Sequence, residues 1–285
     1  MTRNDPAARP HPRLLMCRPD HYGIEYEINP WMDRRRSSDR ALAQQQWERL
    51  TGILASLGAS IELIEPVAGL PDLVFTANAG VVCHDLFVSS QFRHPQRQGE
   101  SERFERWFSE RGYRVCCLKN RRDFEGAGDA LFCSDILFAG YLHRSEIHAH
   151  QALGRLLECQ SLGLELVDPR FYHLDTCFCP LAPGLALYFP AAFDDYGRRV
   201  LAEHIPELVA VEEKDAERFG CNAVVVGGNV VLNTGCDALY RRLESLGFAP
   251  HPTDLSEFLK AGGSAKCLTL RLDGEEAAVW NPTAA

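Results

Sequence analysis

Short apolar runs bounded by turn residues recur along this chain, and stretches with helical spacing of apolar positions separate them. Runs of four to eight apolar residues between Gly, Pro, Asn and Asp punctuation read as strands, and longer amphipathic stretches read as helices. One copy of the pattern covers SIELIEPV (60–67), DLVFTANAGVVCHDLFVSSQF (72–92) and a helix near Glu100. A second covers YRVCCL (113–118), FEGAGDALFCSDILFAGYL (124–142) and a helix over Ser145–Leu157. The third has LELVDP (164–169), HLDTCFCPLAPGLALYFPAAF (173–193) and a helix over Asp194–His204. The fourth has LVAVEE (208–213), CNAVVVGGNVVLNTG (221–235) and a helix over Asp237–Leu246. The fifth is split: FAPHPTDL and GGSAKCLTLRL near the end are completed by RLLMCRP (13–19) and a helix over Arg40–Leu57.

Copies of about 40–50 residues are the length at which repeats form propellers or solenoids, because one unit cannot cover its own apolar face. The expected fold is therefore α/β, a ring of five ββαβ-type units. Loops at one end of its central strands converge on the axis and carry Asn78, Glu125, His173 and Cys267. Residues 1–12, polar and proline-rich, predict a flexible tail, and 13–285 predict a single domain without an internal linker.

Composition narrows the function classes. With 285 residues, 46% of them hydrophobic, the chain can bury a sizeable core. A formal net charge of −9 argues against a nucleic-acid or anionic-membrane partner. The first residues lack the apolar region of a signal peptide, and no uncharged run is long enough for a bilayer. The eleven cysteines then read as reduced thiols of a cytoplasmic protein. Without a CxxC pair, neither a structural metal nor a redox disulfide is expected. No GxGxxG opens a helix after a strand, so no nucleotide cofactor is expected either. A homo-oligomer is open.

Chemistry concentrates in four segments. Cys267 follows two glycines and a serine, which allow close approach of backbone to a ligand. FEGAGD supplies Glu125 and Asp129, HLDT supplies His173 and Asp175, and PDLVFTAN supplies Asp72 and Asn78. A thiol nucleophile needs a base to move its protons, and an acid to orient that base.

VFTAN, FEGAGDAL, HLDT and GGSAKCLT, in this order and one per repeat, resemble the guanidino-group-modifying enzymes. That superfamily includes arginine deiminases, dimethylarginine dimethylaminohydrolases and amidinotransferases. The resemblance implies a five-bladed α/β propeller, or pentein, around a central active site. INPWM, RHPQRQGE and the asparagine of VFTAN are similar to the arginine dihydrolase subgroup, which takes arginine to ornithine.

By that resemblance Cys267 attacks the guanidinium carbon, His173 moves protons, and Glu125 holds His173 or a guanidinium nitrogen. Asp175, two residues beyond His173, points to the same face if the segment is a strand, and grips the guanidinium. Arg97 and Arg144 take the substrate α-carboxylate, with Arg93 as a competitor. Asn29 and Asp72 contact the amino-acid end or nearby loops, while Asp129 satisfies donors around its own turn. Deiminases and dimethylarginine hydrolases carry aspartate at the position of Asn78. An amide there suits a neutral ureido product, so dihydrolysis leads, and hydrolysis of arginine or methylated arginine to citrulline follows. A non-catalytic binding module is the remote alternative.

Overall fold

The structure, a computed structural model, describes residues 12–279. The expected tail lies, apart from Pro12, outside the described residues. The chain runs β1 (Arg13–Cys17), α1 (Arg40–Ser56), β2 (Ser60–Ile64), β3 (Gly80–Cys83), β4 (Leu86–Ser89), α2 (Pro95–Glu110) and β5 (Arg114–Cys117). Next come β6 (Ala130–Cys133), β7 (Ile136–Tyr141), α3 (Ile147–Leu156), β8 (Gln160–Glu165), β9 (Phe178–Ala182), β10 (Leu185–Tyr188) and α4 (Asp195–His204). It ends with β11 (Glu207–Ala210), α5 (Glu213–Ala216), β12 (Val224–Val226), β13 (Asn229–Asn233), α6 (Asp237–Ser245), β14 (Ala249–Thr253), α7 (Ser256–Leu259) and β15 (Leu270–Arg271).

Among the described residues these strands form five three-stranded sheets: β3-β4-β5, β6-β7-β8, β9-β10-β11, β12-β13-β14 and β15-β1-β2. In each of the first four an antiparallel hairpin is followed by a helix and then a strand parallel to the hairpin's second strand, as in Val81↔Val88 and Phe87↔Val115. A parallel neighbour needs a crossover of this kind, and the helix supplies it. The fifth blade joins the two ends of the chain: β15 lies antiparallel to β1 and β2 lies parallel to it.

The repeat frame read from the sequence is displaced by one strand. Apolar spacing groups YRVCCL with the hairpin that follows it, yet β5 hydrogen-bonds to β4 of the preceding blade. The same holds for β2, β8, β11 and β14. Hydrophobic spacing marks a strand but not its neighbour, and the crossover helix returns each strand to the sheet it left.

Burial follows the position within a blade. Middle strands such as β1, β7 and β13 are buried along most of their length, whereas the last strands β2, β5 and β14 are mostly half-exposed or exposed. A middle strand covered on both faces needs an apolar run, and an outer strand does not. The helices start on local signals: Asp39 accepts from the Leu42 amide, Asp194 from that of Gly197, and Pro95 opens α2.

At the inner end, a turn precedes the first strand of every blade, and packing or hydrogen bonds join each turn to the next. The turn Thr76–Ala79 packs on Gly126–Gly128. Asp129 Oδ1 then accepts from Leu174 N at 3.1 Å, Asn222 Nδ2 donates to Asp175 O at 3.0 Å, and Lys266 N donates to Asn222 O at 3.2 Å. Ala77 N donates to Cys267 O at 3.2 Å and closes the circuit. The five turns thus form the ring that positions the site.

Candidate active site

Cys267 sits on the fifth of these turns, with its sulfur between an acceptor and a donor. Its Sγ lies 3.4 Å from Asp175 Oδ2 and 3.1 Å from Asn222 Nδ2. Burial raises the thiol well above its ordinary pKa, and the Asp175 carboxylate adds to this. Burial likewise pushes Asp175 up to about 7, against the pull of Cys267 and Lys266. The pair as it stands therefore favours a neutral thiol. A cation brought between them would favour the thiolate, since opposite charge in a poorly solvated site stabilises the ionised form.

His173 and Asp175 are not set by strand alternation. Leu174–Thr176 is a 3-10 turn, held by Thr176 Oγ1 donating to His173 O at 2.6 Å. It sends Asp175 toward Cys267 and turns His173 to Glu125, where His173 Nε2 lies 2.9 Å from Glu125 Oε2. Burial alone would raise Glu125, but Arg144 Nη1 at 2.8 Å, with His173, holds it well below the usual carboxylate range. Glu125 is ionised, so Nε2 carries the proton and Nδ1 is left as the basic nitrogen. Burial pushes the imidazole down to about 4, which keeps it neutral at physiological pH despite Glu125. Asp129, set aside in the sequence reading, braces this arrangement. Its carboxylate takes Leu174 N and the Ser145 hydroxyl, and Ser145 Oγ takes Glu125 N.

Asn78 faces His173 from the first blade. Its Oδ1 accepts from Arg97 Nη1 at 2.8 Å, which fixes Nδ2 as the side presented to the site. That Nδ2 is buried and has no partner. Gly128 makes room for it: a Cβ there would lie 2.3 Å from Asn78 Nδ2 and 3.4 Å from His173 Nδ1. Asp72 and Asp175 each have one buried carboxylate oxygen without a partner, Oδ1 in both. An unpaired donor and two unpaired acceptors, costly if never satisfied, are groups a planar polar ligand can use.

The two arginines expected to meet a carboxylate are already held by the protein. Arg97 donates from Nε and Nη2 to both Glu100 oxygens at 2.8 Å, and from Nη2 to Asp72 O. Arg144 divides between Glu125 and the Ile28 carbonyl, with its guanidinium 4.5 Å from the Tyr172 ring centroid. Arg93 donates to Leu142 O. Asn29 ties loops together, taking the amides of Trp31 and Met32 and donating to Ala261 O. The glycine pair before Cys267 serves packing rather than ligand approach at Gly263, where a Cβ would lie 2.6 Å from the Phe75 ring.

Four groups escaped the sequence reading: Asn222, Gly128, Ser145 and Tyr172. A signal existed for the first two. Asn78, Gly128 and Asn222 each stand two residues before the first strand of their blade, as Asp175 and Cys267 each stand three before. Alignment of blades by strand start brings Asn222 beside Asn78. Ser145 and Tyr172 have no such register.

A family model described as N,N dimethylarginine dimethylhydrolase, eukaryotic, matches residues 24–272. The chain is 50% identical over 267 residues to the bifunctional arginine dihydrolase/ornithine cyclodeaminase AgrE of Nostoc sp., covering 91% of this chain and 38% of that protein. It thus spans a little over a third of that relative's length. It is 43% identical over 260 residues to the N(G),N(G)-dimethylarginine dimethylaminohydrolase of Mycobacterium tuberculosis, covering 91% of this chain and 85% of that one. Among solved structures, it is similar to the N-terminal domain of ArgZ, an arginine dihydrolase from the ornithine-ammonia cycle in cyanobacteria. That domain, a cysteine-to-serine mutant bound to substrate, matches with a TM-score of 0.89 at 46% identity, over 93% of this chain and 99% of that one.

Proposed function

The chain belongs to the dimethylarginine dimethylaminohydrolase family of guanidino-modifying enzymes, C–N hydrolases, and on that premise we propose that it is an arginine dihydrolase. The observation that carries this choice is Asn78, whose amide is locked by Arg97 with the N–H side toward the site.

The substrate guanidinium enters between the Asp175 carboxylate and the Asn78 amide. Its charge favours the ionised forms of Asp175 and Cys267 together. The S–H bond breaks and the proton passes to His173 Nδ1, giving an imidazolium that Glu125 stabilises through Nε2. Sγ forms a bond to the guanidinium carbon, the imidazolium protonates one nitrogen, and ammonia leaves as that C–N bond breaks. Water then loses a proton to His173 and adds to the thiouronium carbon. The C–S bond breaks, and citrulline remains.

The ureido group of citrulline is neutral and presents an oxygen. Asn78 Nδ2 donates to that oxygen, whereas a carboxylate at this position would repel it. Held there, the ureido carbon takes a second attack by Cys267 and a second water. The sum is one arginine and two waters to ornithine, two ammonia and carbon dioxide. Arg144 and Arg97 are the residues for the α-carboxylate, Arg144 exchanging the Ile28 carbonyl for it and Arg97 the Asp72 carbonyl, so that the bonds to Glu125 and Asn78 are kept. Asp72 and Asn29 flank the amino-acid end.

Hydrolysis of methylated arginine is the second reading, supported by the family model and the mycobacterial relative. One assay separates the two. The pure protein is incubated with arginine or with asymmetric dimethylarginine, and ammonia, dimethylamine, citrulline and ornithine are counted. Two ammonia with ornithine per arginine is the expected result. One ammonia with citrulline, or turnover of only the methylated substrate with release of dimethylamine, sinks the dihydrolase reading.

A further inference from the structure

Asn222 lies in the fourth blade, outside the set of groups used above, yet it touches the nucleophile turn at four points. Its Oδ1 accepts from Ser264 N and from Cys267 N, both at 3.1 Å. Its backbone carbonyl accepts from Lys266 N at 3.2 Å. Its Nδ2 donates to Asp175 O at 3.0 Å and to Cys267 Sγ at 3.1 Å. The residue is completely buried.

These partners settle which way the amide points. The oxygen faces two backbone N–H groups, and the nitrogen faces a backbone carbonyl. A flipped amide would set N–H against N–H at 264 and 267, and oxygen against oxygen at 175. The N–H side is therefore fixed on the sulfur.

We propose that Asn222 is a catalytic residue, the hydrogen-bond donor that stabilises the Cys267 thiolate during attack. The proposal rests on Cys267 being the nucleophile. Two side chains contact the sulfur, and only one of them depends on its protonation state. Asp175 Oδ2 accepts from the thiol, and Asn222 Nδ2 donates to the sulfur whatever its state. When a cationic substrate recruits the Asp175 carboxylate, the S–H group loses its acceptor and the proton departs to His173. The electron pair left on sulfur still has the Asn222 donor, which no rotamer change is needed to deliver. A preorganised donor on a buried anion is worth more than one in water, because no solvent competes for it. The same amide holds the backbone of 264–267 through Oδ1, so one residue fixes both the position and the charge of the sulfur.

The decisive variant is Asn222→Asp. A carboxylate is isosteric and still accepts from Ser264 N and Cys267 N, so the turn keeps that clamp while the donor to sulfur and to Asp175 O is replaced by an anionic oxygen. Asn222→Ala removes both functions. The rate of Cys267 alkylation by iodoacetamide, read by peptide mass spectrometry across pH, reports thiolate formation without any substrate. Asn222→Asp is expected to move the alkylation profile to higher pH by about one unit or more, and to lower kcat about 10- to 100-fold with KM within about threefold. Thermal melting separates these effects from loss of fold. An Asn222→Asp protein that folds and keeps the wild-type alkylation profile overturns the proposal, even if its kcat falls. Because alkylation needs no arginine, the result stands apart from the substrate assignment. A protein inactive on arginine would refute that assignment and leave the Asn222 test intact.

Discussion

On the proposed function, Asn78 concentrates the residue-scale question of how far the reaction runs. Its Oδ1 is taken by Arg97, and Arg97 is in turn held by Glu100 through two bonds, so the amide cannot swing. Asn78→Asp would keep the contact to Arg97 and turn a negative oxygen toward the site. A guanidinium tolerates that oxygen and a ureido carbonyl does not. The variant is expected to make citrulline near the wild-type rate and to lose ornithine formation by about tenfold or more, a change of about 1.4 kcal/mol in the second barrier. Chromatography of the amino-acid products over time checks it. Undiminished ornithine would refute this role for Asn78.

Elements decide who reaches the site. Cys267, His173, Glu125, Asp175 and Asn78 are each no more than 3% exposed, so a substrate cannot enter without movement of what covers them. The segment between β1 and α1 runs beside the site, where Ile28 O accepts from Arg144, the residue that holds Glu125. It is tied down by Ile28 O to Arg144, by Asn29 to Ala261 O, and by Trp31 Nε1 to Arg170 O at 2.6 Å. Trp31 also packs on Phe219 with ring centroids 4.9 Å apart. Tyr22 and Met32 of the same segment are buried in the apolar core and anchor it, so opening that precedes separation of the blades is confined to the stretch between them. Trp31→Ala should speed alkylation of Cys267 by N-ethylmaleimide about fivefold or more, with little change in the thermal midpoint of the whole protein. Equal rates in the two proteins would mean that the entrance lies elsewhere.

At the scale of the whole molecule, buried ionisable groups oppose one another across one pH window. His150 is fully buried, bonded through Nε2 to Gly140 O, and burial pushes it from 6.5 down to about 4. A histidine with a depressed folded pKa binds fewer protons than its unfolded counterpart between those values. Its contribution to stability is present above about 6.5 and is lost as pH falls toward 4. Asp175 and Glu100 have the reverse sign, since burial lifts both to about 7 and their burden grows as pH rises from the usual carboxylate range. The net curve is therefore flattened, and a difference between variants reveals what the curve hides. Between pH 7 and pH 4.5, His150→Gln should lose about 2 kcal/mol less stability than the wild type, read from urea midpoints at the two pH values. Parallel losses would show that His150 does not titrate in the fold.

The linear chain alone determined the number of units, the helices, and most of the candidate groups proposed for the site. Apolar spacing depends on which side of an element is covered, and a Cys–His–acid set depends on residue type, so both are written locally. Sheet partnership was not: β5 reads the same whether it opens one blade or closes another, and only the crossover of α2 assigns it to β4. Orientation within the site was likewise decided in three dimensions. Asp175 reaches the sulfur through a 3-10 turn that alternation did not foresee, and Asn222 meets Cys267 across 45 residues of chain. Charge states belong to the same level, because burial and neighbours such as Arg144 set them. These are properties of the packed ring of turns, not of any one segment.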